Sequence, residues 1–393
     1  MTETSQTLTV ILNDRPLRRT LTGVGNYIEQ LLIHLPHVEP SIRVDPFIFT
    51  HLTRRDWRRR PERAQARERF PSGRQPRDLG GSRSPWWLRR LVQGVYAGLF
   101  RMKTRRYHLY HEPNHIPIRC NLPTVTTIHD LSVIVHPQWH PADRVRWYER
   151  EFAAGARQTR RFIAPSEFTK REMVERLNIP AGIIDVTYQA PRAAFGPRAP
   201  DQIRRTLAKL GLPERFFLYV GTLEPRKNVP GLLDAYAALP PGLRRQSPLV
   251  VVGAWGWKQD ALREKLAERS LSSHVRLMGF IADEELACLY AACTAFVWPT
   301  LYEGFGNPPL EAMACGAPAV VSNVASLPEV VGEAGILLDP HDPPAWTEAM
   351  RRLAEDDAWR ETHTRRSREQ AARFSWERCV RETVACYRAA LLD

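Results

Sequence analysis

Long apolar runs and paired cysteines are missing from this chain of 393 residues. No stretch of about 18 or more consecutive apolar residues occurs, so no membrane-spanning helix is predicted. The start MTETSQTLTVILN lacks the basic residues, apolar core and small-residue cleavage site of a secretory signal. The cysteines include no close C-x-x-C pair, so we expect free, mostly buried thiols of a cytoplasmic protein, without a disulfide framework or zinc. They are Cys120, Cys288, Cys293, Cys315, Cys379 and Cys386.

The net charge of +13 comes from one segment of the chain. Residues 54–106 contain 17 Lys and Arg against 4 Asp and Glu, and the rest of the chain is balanced. The segment begins rich in Arg, Pro and Gly, which predicts a mobile or extended insertion. The basicity is therefore local, and it does not indicate a nucleic-acid-binding surface spread over the whole protein.

The end of this basic segment, PWWLRRLVQGVYAGLFRMKTRR, has apolar residues at helical spacing between arginines and lysines. Two interpretations stay open for residues 86–106. The helix contacts an anionic membrane as an interfacial element, or it is an ordinary domain helix with an Arg-rich solvated edge. RNA binding is disfavoured, since no nucleic-acid motif accompanies the charge. The apolar positions are Trp87, Leu88, Leu91, Val92, Val95, Tyr96, Leu99, Phe100 and Met102.

Short apolar segments alternate with helix-length segments along the rest of the chain, which predicts an α/β fold with parallel sheets covered on both faces. Two such halves indicate two Rossmann-like domains, 1–195 and 196–372, joined by a linker near 189–201. The predicted strands of the first half are LTVILN, DPFIFT, YHLYHE, TVTTIHD, RFIAPS and DVTYQA. Those of the second half are FFLYVG, LVVVGA, VRLMGF, AFVWPT, AVVSNV and GILLD.

Polar residues that directly follow strands are the candidates for a binding site, because open α/β sheets bind ligands at the carboxyl ends of their strands. After FFLYVG come Gly221 and the adjacent cations Arg226 and Lys227. A cation pair at this place suits a diphosphate, although a solvated helix start would have the same sequence.

The segment EGFGNPPLEAMACG follows the predicted strand AFVWPT. Its glycines allow close approach of the backbone to a ligand, and its two prolines suit the start of a helix that ends at Gly316. Glu303 then lies before the turn, and Glu311 lies in the first helical turn. A helix N-terminus favours phosphate, and flanking carboxylates accept hydrogen bonds from sugar hydroxyls. The arrangement predicts a nucleotide-sugar site.

These segments resemble the retaining GT-B glycosyltransferases of family 4, the glycosyl transferases group 1. Glu303 and Glu311 resemble the family's E-x7-E motif, and the resemblance extends over nearly the whole chain. RRTLTGVGNYIEQLL is similar to its first glycine loop, TVTTIHDLSVIVHP to its histidine segment, and APSEFTKREM to its serine segment. GTLEPRKNVPGLLDAY is similar to its diphosphate clamp, and FSWERCVRETVACYRAAL (within 373–393) to the last helix, which crosses back to the first domain.

The resemblance implies a role for each matching residue. Arg226 and Lys227 would hold the donor diphosphate without a metal or other cofactor, and Glu303 and His129 would contact the transferred sugar. Glu311 would bind the ribose, and the base would lie near Phe280 and Ile281. Further substrate contacts would come from Gly23, Val24, Gly25, Ser166, Gly221, Leu310 and the backbone amides of Phe305, Gly306 and Asn307.

The expected reaction is transfer of a hexose with retention of configuration, by attack on the face that the nucleotide leaves. Similarity of EGFGNPPLEAMACG and TGVGNY to mannosyl- and rhamnosyl-type O-chain enzymes favours GDP-mannose, with UDP-sugars left open. The basic segment favours a glycan or lipid-linked acceptor of lipopolysaccharide synthesis, with the enzyme cytoplasmic or peripheral on the inner membrane face. A GT-B epimerase, a phosphorylase and a non-enzymatic nucleic-acid-binding protein are the alternatives.

Several residues keep two interpretations. His111 and His115 line the cleft or serve the structure, and Trp255 and Trp257 approach the donor or pack. YQAPRAAFGP replaces the glycine-valine-aspartate stretch of many relatives, so the face between the domains is expected to differ there.

Overall fold

The computed structural model describes residues 7–18, 23–47, 86–268, 271 and 273–392. The first six strands form one parallel sheet in the order β2-β1-β3-β4-β5-β6. They are β1 Leu8–Leu12, β2 Ile42–Pro46, β3 Leu109–Glu112, β4 Thr124–Thr127, β5 Arg161–Ala164 and β6 Ile184–Val186.

The last six strands form a second parallel sheet in the order β12-β11-β10-β7-β8-β9. They are β7 Phe217–Val220, β8 Leu249–Val252, β9 Val275–Gly279, β10 Ala295–Trp298, β11 Ala319–Ser322 and β12 Ile336–Leu338. Its buried apolar residues form the largest core cluster of the described chain. Both sheets are all-parallel, as the continuous apolar strands predict.

Helices connect the strands and cover both sheets. In the first half they are α1 Gly23–Val38, α2 Trp86–Thr104, α3 Ser132–Val135, α4 Ala142–Gln158 and α5 Glu167–Leu177. In the second half they are α6 Pro200–Leu210, α7 Val229–Ala237, α8 Pro241–Gln246, α9 Asp260–Ala267, α10 Asp283–Ala292, α11 Asn307–Cys315, α12 Leu327–Val331, α13 Pro343–Glu355 and α14 Asp357–Ala371. The last helix is α15 Trp376–Leu392.

The strand predictions are confirmed, with two corrections. Each predicted segment overlaps a strand, but β2 covers Ile42–Pro46 rather than DPFIFT, whose last residues lie outside the described chain. The edge strand β9 is apolar but not buried on both faces, because it has a neighbour on one side only; Leu277, for example, is exposed.

The basic segment is described only from residue 86 onward, so the predicted insertion at 54–85 lies outside the described residues. The predicted helix is present as α2. Its apolar residues do not all face the same way. Phe100 is buried against Phe47 and Tyr110, whereas Val95, Leu99 and Met102 are exposed to 50%, 39% and 64%. Among the described residues, no helix is both long and apolar enough to span a bilayer.

All six cysteines are free, and five of them are buried, as expected. Two of the five, Cys379 and Cys386, lie in α15. This helix crosses from the second half of the chain and packs against α1 and the first sheet. The predicted return of the last helix to the first domain is therefore confirmed.

A buried polar chain fastens α15 to the first sheet. Nδ1 of His111 bonds to the hydroxyl of Tyr387 at 2.7 Å, and Nε2 bonds to Oγ1 of Thr127 at 2.8 Å. Burial lowers the pKa of His111 to about 3, so the ring is neutral at physiological pH. Because the ring is fully buried and bonded on both nitrogens, the structural interpretation of His111 holds.

Removing one bond of this chain is expected to destabilise the protein. Tyr387→Phe leaves Nδ1 of His111 buried without its partner, which costs about 1–3 kcal/mol of unfolding free energy. The exposed neighbour Arg388 pairs with Glu39 on the surface, so Arg388→Gln should cost about 0.5 kcal/mol or less. Thermal unfolding of the two variants measures the difference, and equal midpoints would refute the network's contribution.

Candidate active site

The carboxyl ends of β7 and β10 form the central crevice of the second sheet. These two strands are neighbours, and the strand order reverses between them. Open α/β sheets bind ligands at such a reversal, since the following loops diverge there. The loop after β7 contains Arg226 and Lys227, and the loop after β10 contains Glu303. The fold therefore brings together two segments that are 76 residues apart in the sequence.

Glu303 lies between the two cations. Its Oε1 accepts a hydrogen bond from Nζ of Lys227, and its Oε2 accepts one from Nη1 of Arg226 at 3.2 Å. Oγ1 of Thr300 adds a third hydrogen bond, at 3.1 Å. Burial opposes ionisation of Glu303, but the two cations more than compensate, so its pKa lies below the usual value. Glu303 is therefore a carboxylate at neutral pH.

Arg226 is surrounded by further carboxylates. Its Nε donates to Glu224 at 2.6 Å, and its Nη1 lies 4.0 Å from Oδ2 of Asp130 in the first domain. For Lys227, burial and the neighbouring guanidinium lower the pKa despite the contact with Glu303. The crevice thus holds two cations whose charge is balanced by side chains of both domains.

An aromatic stack supports the lysine. Nζ of Lys227 lies 4.7 Å above the ring of Trp298, which stacks on Tyr219 with 5.1 Å between ring centroids. A Cβ on Gly221 would lie 2.6 Å from the Trp298 ring. This packing explains why position 221 requires glycine. The structure does not assign it a substrate contact.

The loop before α11 presents free backbone donors. Gly306 has φ of 115°, a conformation that favours glycine, and Pro308 and Pro309 occupy the first turn. None of the described residues accepts a hydrogen bond from the amides of Phe305, Gly306 and Asn307. Such a helix N-terminus suits an anion or a sugar hydroxyl.

Two details of α11 differ from expectation. The amide of Leu310 already donates to the carbonyl of Gly306 at 3.3 Å, so it is not a free donor for phosphate. Because α11 begins at Asn307, Glu311 is its fifth residue and starts the second turn rather than lying in the first.

His129 and Asp130 approach the crevice from the first domain. Nε2 of His129 lies 2.9 Å from the carbonyl oxygen of Pro113, which fixes Nε2 as the protonated nitrogen and leaves Nδ1 as an acceptor. Burial, and secondarily His115, lowers the pKa of His129 to about 4. His129 is therefore a neutral hydrogen-bond acceptor. His115 has φ of 67° and bonds to Tyr148 at 2.8 Å, so it supports this side of the cleft.

Gly304 lies in close contact with the first domain. Its carbonyl accepts hydrogen bonds from Oγ of Ser166 at 2.6 Å and Oγ1 of Thr169 at 3.0 Å. A Cβ on Gly304 would overlap the carbonyl oxygen of His129. Ser166 also caps α5 by accepting from the amide of Thr169. Its hydroxyl is thus already used by the protein, in contacts that close the domains on each other.

The first glycine loop also faces the E-x7-E loop. A Cβ on Gly23 would lie 3.9 Å from Nδ2 of Asn307, and residues 19–22 lie outside the described chain. Val24 and Gly25 continue into α1, where Val24 packs on the core and Gly25 is buried. Only Gly23 of these three is exposed next to the loop.

The residues predicted to contact the nucleotide differ in their exposure to solvent. Phe280 is 74% exposed, whereas Ile281 is buried in the core. Glu311 is buried and pairs with Arg192, whose Nε lies 2.9 Å from its Oε1. The sequence analysis did not identify this partner, since Arg192 is one of two arginines, with Arg198, in the small-residue linker segment.

Both halves of the chain match models of one group of enzymes. Residues 203–373 match the family described as Glycosyl transferases group 1, and residues 21–190 match Glycosyltransferase Family 4. O-antigen chain mannosyltransferase B of Escherichia coli is 41% identical over 283 residues, which are 72% of this chain and 74% of the relative. The chain belongs to this glycosyltransferase family.

Two further comparisons concern a second relative and the fold. The serotype-specific mannosyltransferase WbdA of Escherichia coli is 32% identical over 265 residues, 65% of this chain but only 32% of the relative's length. A sucrose-phosphate synthase from Thermosynechococcus elongatus superimposes with a TM-score of 0.71 at 21% identity, covering 97% of this chain and 98% of that one. The glycosyltransferase therefore has the GT-B fold that the sequence predicted.

Several functional candidates of this glycosyltransferase were not singled out from the sequence. Asp130 follows the predicted histidine directly and could have been found as a polar residue after a strand. Glu224 lies two residues before the cation pair. Tyr302 and Glu329 could not be found from local sequence pattern, because their contacts cross between the two domains. The hydroxyl of Tyr302 bonds to Glu172, and Glu329 accepts from the first amides of α5 at 3.0 and 2.9 Å.

Gly304→Ala is expected to hold the domains apart. The new methyl group would overlap the His129 carbonyl, so the two sides of the site could not meet while each domain stays folded. Misplacement of reacting groups by about 1 Å costs roughly 10²-fold in rate, and we expect that loss in sugar transfer. Gly182→Ala, where a Cβ meets open space, is the control. A Gly304→Ala enzyme with normal activity and normal melting temperature would contradict the tight contact.

Proposed function

We propose that this glycosyltransferase moves mannose from GDP-mannose to a glycan or lipid-linked acceptor in lipopolysaccharide O-chain synthesis, with retention of configuration. The observation that carries the proposal is Glu303 held between Arg226 and Lys227 at the strand-order reversal, opposite His129. The choice of sugar is supported by the relative named O-antigen chain mannosyltransferase B.

The cation pair suits the leaving group. Departure of a nucleoside diphosphate builds negative charge on the phosphate, and cations fixed in a buried crevice stabilise that charge without reorganising. Arg226 presents a planar fork and Lys227 a point charge, which together match two phosphates. In this proposal the two side chains supply the positive charge and the reaction needs no metal.

The sugar lies between the domains in this proposal. Glu303, as an ionised carboxylate, accepts hydrogen bonds from sugar hydroxyls and stabilises positive charge that develops on the ring. His129, neutral and with Nδ1 free to accept, binds another hydroxyl from the opposite side. The free amides of residues 305–307 complete the contacts.

Retention is proposed to occur by front-face attack. The carboxylates nearest the crevice among the described residues already have partners: Glu224 with Arg226, Glu303 with both cations, and Asp130 with Ser132 at 2.6 Å. We assign none of them the role of the covalent nucleophile that a double displacement needs. Catalysis then rests on positioning and charge stabilisation, with the closed domains excluding water.

The donor is tested by thermal unfolding with GDP, UDP, ADP, TDP and their sugar conjugates. Binding to the native state stabilises it by about 2.7 kcal/mol when the ligand is at 100 times its Kd. We expect GDP and GDP-mannose to raise the midpoint, and Arg226→Ala to abolish the shift. Arg351→Ala, which removes a surface arginine paired with Glu348 and Glu355, should leave the shift unchanged.

Transfer itself is measured with GDP-mannose and a lipid-linked or oligosaccharide acceptor. Glu303→Gln should lower kcat about 10²- to 10³-fold, since it removes the charge that faces the sugar. NMR of the product should show the α-configuration of the donor. A shift with UDP-sugars alone would overturn the donor, interconversion of free donor would indicate an epimerase, and no nucleotide binding would overturn the whole proposal.

We further propose that α2 contacts an anionic membrane, where a lipid-linked acceptor would lie. Val95, Leu99 and Met102 form an exposed apolar surface on this helix, and Arg101, Arg105 and Arg106 lie beside it. Apolar residues next to cations are typical of helices that lie in the headgroup region of anionic bilayers.

Replacing Val95, Leu99 and Met102 together by Gln should weaken binding to vesicles that contain phosphatidylglycerol. Burying one apolar side chain contributes about 1.5–3 kcal/mol when complete, so a loss of about tenfold or more is expected in a sedimentation assay. Ile33→Gln, at an exposed apolar position on α1, is the control. Unchanged vesicle binding by the triple variant would show that this surface does not contact lipid.

A further inference from the structure

The segment that joins the two domains is built into the nucleotide side of the site. The ring centroid of Tyr188 lies 6.2 Å from the ring centroid of Phe305. Oε1 of Gln189 accepts a hydrogen bond from Nδ2 of Asn307 at 2.9 Å. Farther along, Arg192 reaches Glu311. Three residues of one short segment thus contact the E-x7-E loop and its helix, although a linker has no need to do so.

Arg192 is held in one orientation by several contacts. Its side chain is only 15% exposed. Nε donates to Oε1 of Glu311 at 2.9 Å, Nη1 donates to Oδ2 of Asp283 at 2.6 Å, and the guanidinium lies 4.7 Å above the ring of Phe195. A buried guanidinium with two carboxylates and an aromatic face has little freedom to rotate.

Glu311 makes only one of the contacts that it could make. The bond to Arg192 uses Oε1, and no described residue donates to Oε2. Glu311 is also nearly buried, at 8% exposure. One of its two oxygens is therefore fixed by the linker, while the other is left for a ligand.

We propose that Arg192 is a positioning residue of the donor site, which fixes Glu311 and its negative charge so that Oε2 accepts from the adjacent hydroxyls of the donor ribose. This inference rests on the proposed function, since it assigns the ribose to Glu311. It also gives a role to the segment that departs from the family pattern.

The charges around Glu311 explain why an arginine is needed. Burial raises the pKa of Glu311, and Asp283 at the start of α10 raises it further, while Arg192 opposes both effects. The other titratable neighbours are Tyr290 on α10 and Cys315 on α11, and their own pKa values are raised, mainly by burial. The pKa of Glu311 stays above its usual value, and Arg192 is the cation that limits this rise. Without it, the carboxyl would hold its proton to a higher pH and accept fewer hydrogen bonds.

Binding of GDP-mannose as a function of pH tests the inference, measured by calorimetry from about pH 5 to about pH 8. Neither the sugar-linked diphosphate nor the guanine base titrates in this range, so the profile reports the protein. In Arg192→Met the affinity should fall about tenfold or more near neutral pH, as expected for loss of a charge-assisted hydrogen bond. The affinity should recover as the pH rises. Arg192→Lys, which keeps the charge, should keep the wild-type profile with a smaller loss.

Controls separate positioning from structure. Arg204→Met removes an exposed arginine paired with Asp201 and should change nothing. If Arg192→Met does not fold, Arg192→Gln gives the same comparison. Wild-type affinity and an unshifted profile in the variant overturn the inference alone, and so does a weakening that is equal at every pH. Wild-type protein that binds no nucleotide-sugar overturns the proposed function as well, which distinguishes the two failures.

Discussion

The burial of Arg226 and Lys227 is the constraint on which the site depends. Moving a cation out of water costs several kcal/mol unless a partner of opposite charge accompanies it. Glu303 supplies that partner for both side chains, and Glu224 and Asp130 surround the guanidinium. This requirement ties the loop after β7 to the loop after β10. The crevice between them is consequently rigid and charged before any ligand arrives.

The second constraint is the lack of space at Gly304. The backbone of the first domain, at His129, lies where any larger residue would place its Cβ. The hydroxyls of Ser166 and Thr169 then reach the Gly304 carbonyl, and Glu329 reaches the N-terminus of α5. A side chain as small as glycine thus allows two separate sheets to form one site, with a neutral histidine on one side and a carboxylate on the other.

The linker contributes a charged side chain to the site, which its position between two domains does not suggest. Segments between domains are usually exposed and polar, yet this one carries a nearly buried arginine that contacts the helix after the E-x7-E loop. The second domain is therefore oriented and charged by residues that also connect it to the first domain.

Much of the fold was determined by the sequence alone. Alternating apolar strands and helices predicted both sheets, because parallel strands buried on two faces need continuous apolar segments. The ordered motifs predicted the family, and the place after each strand predicted which loops form the crevice. The predicted boundaries of β2 and the predicted burial of β9 were wrong. Where a strand ends, and whether it lies at the edge of a sheet, depends on neighbouring strands that local spacing does not specify.

Only the tertiary structure decided the partners of each charge and the contacts between domains. Glu311 stays the predicted ribose ligand, and only the structure shows that Arg192 lies against it. Ser166 stays predicted to line the site, and only the structure shows that its hydroxyl is bonded to Gly304. These partners are more than 100 residues apart in the sequence. The local sequence determines which side chains follow each strand, whereas the packing of the two sheets decides which of these side chains contact each other.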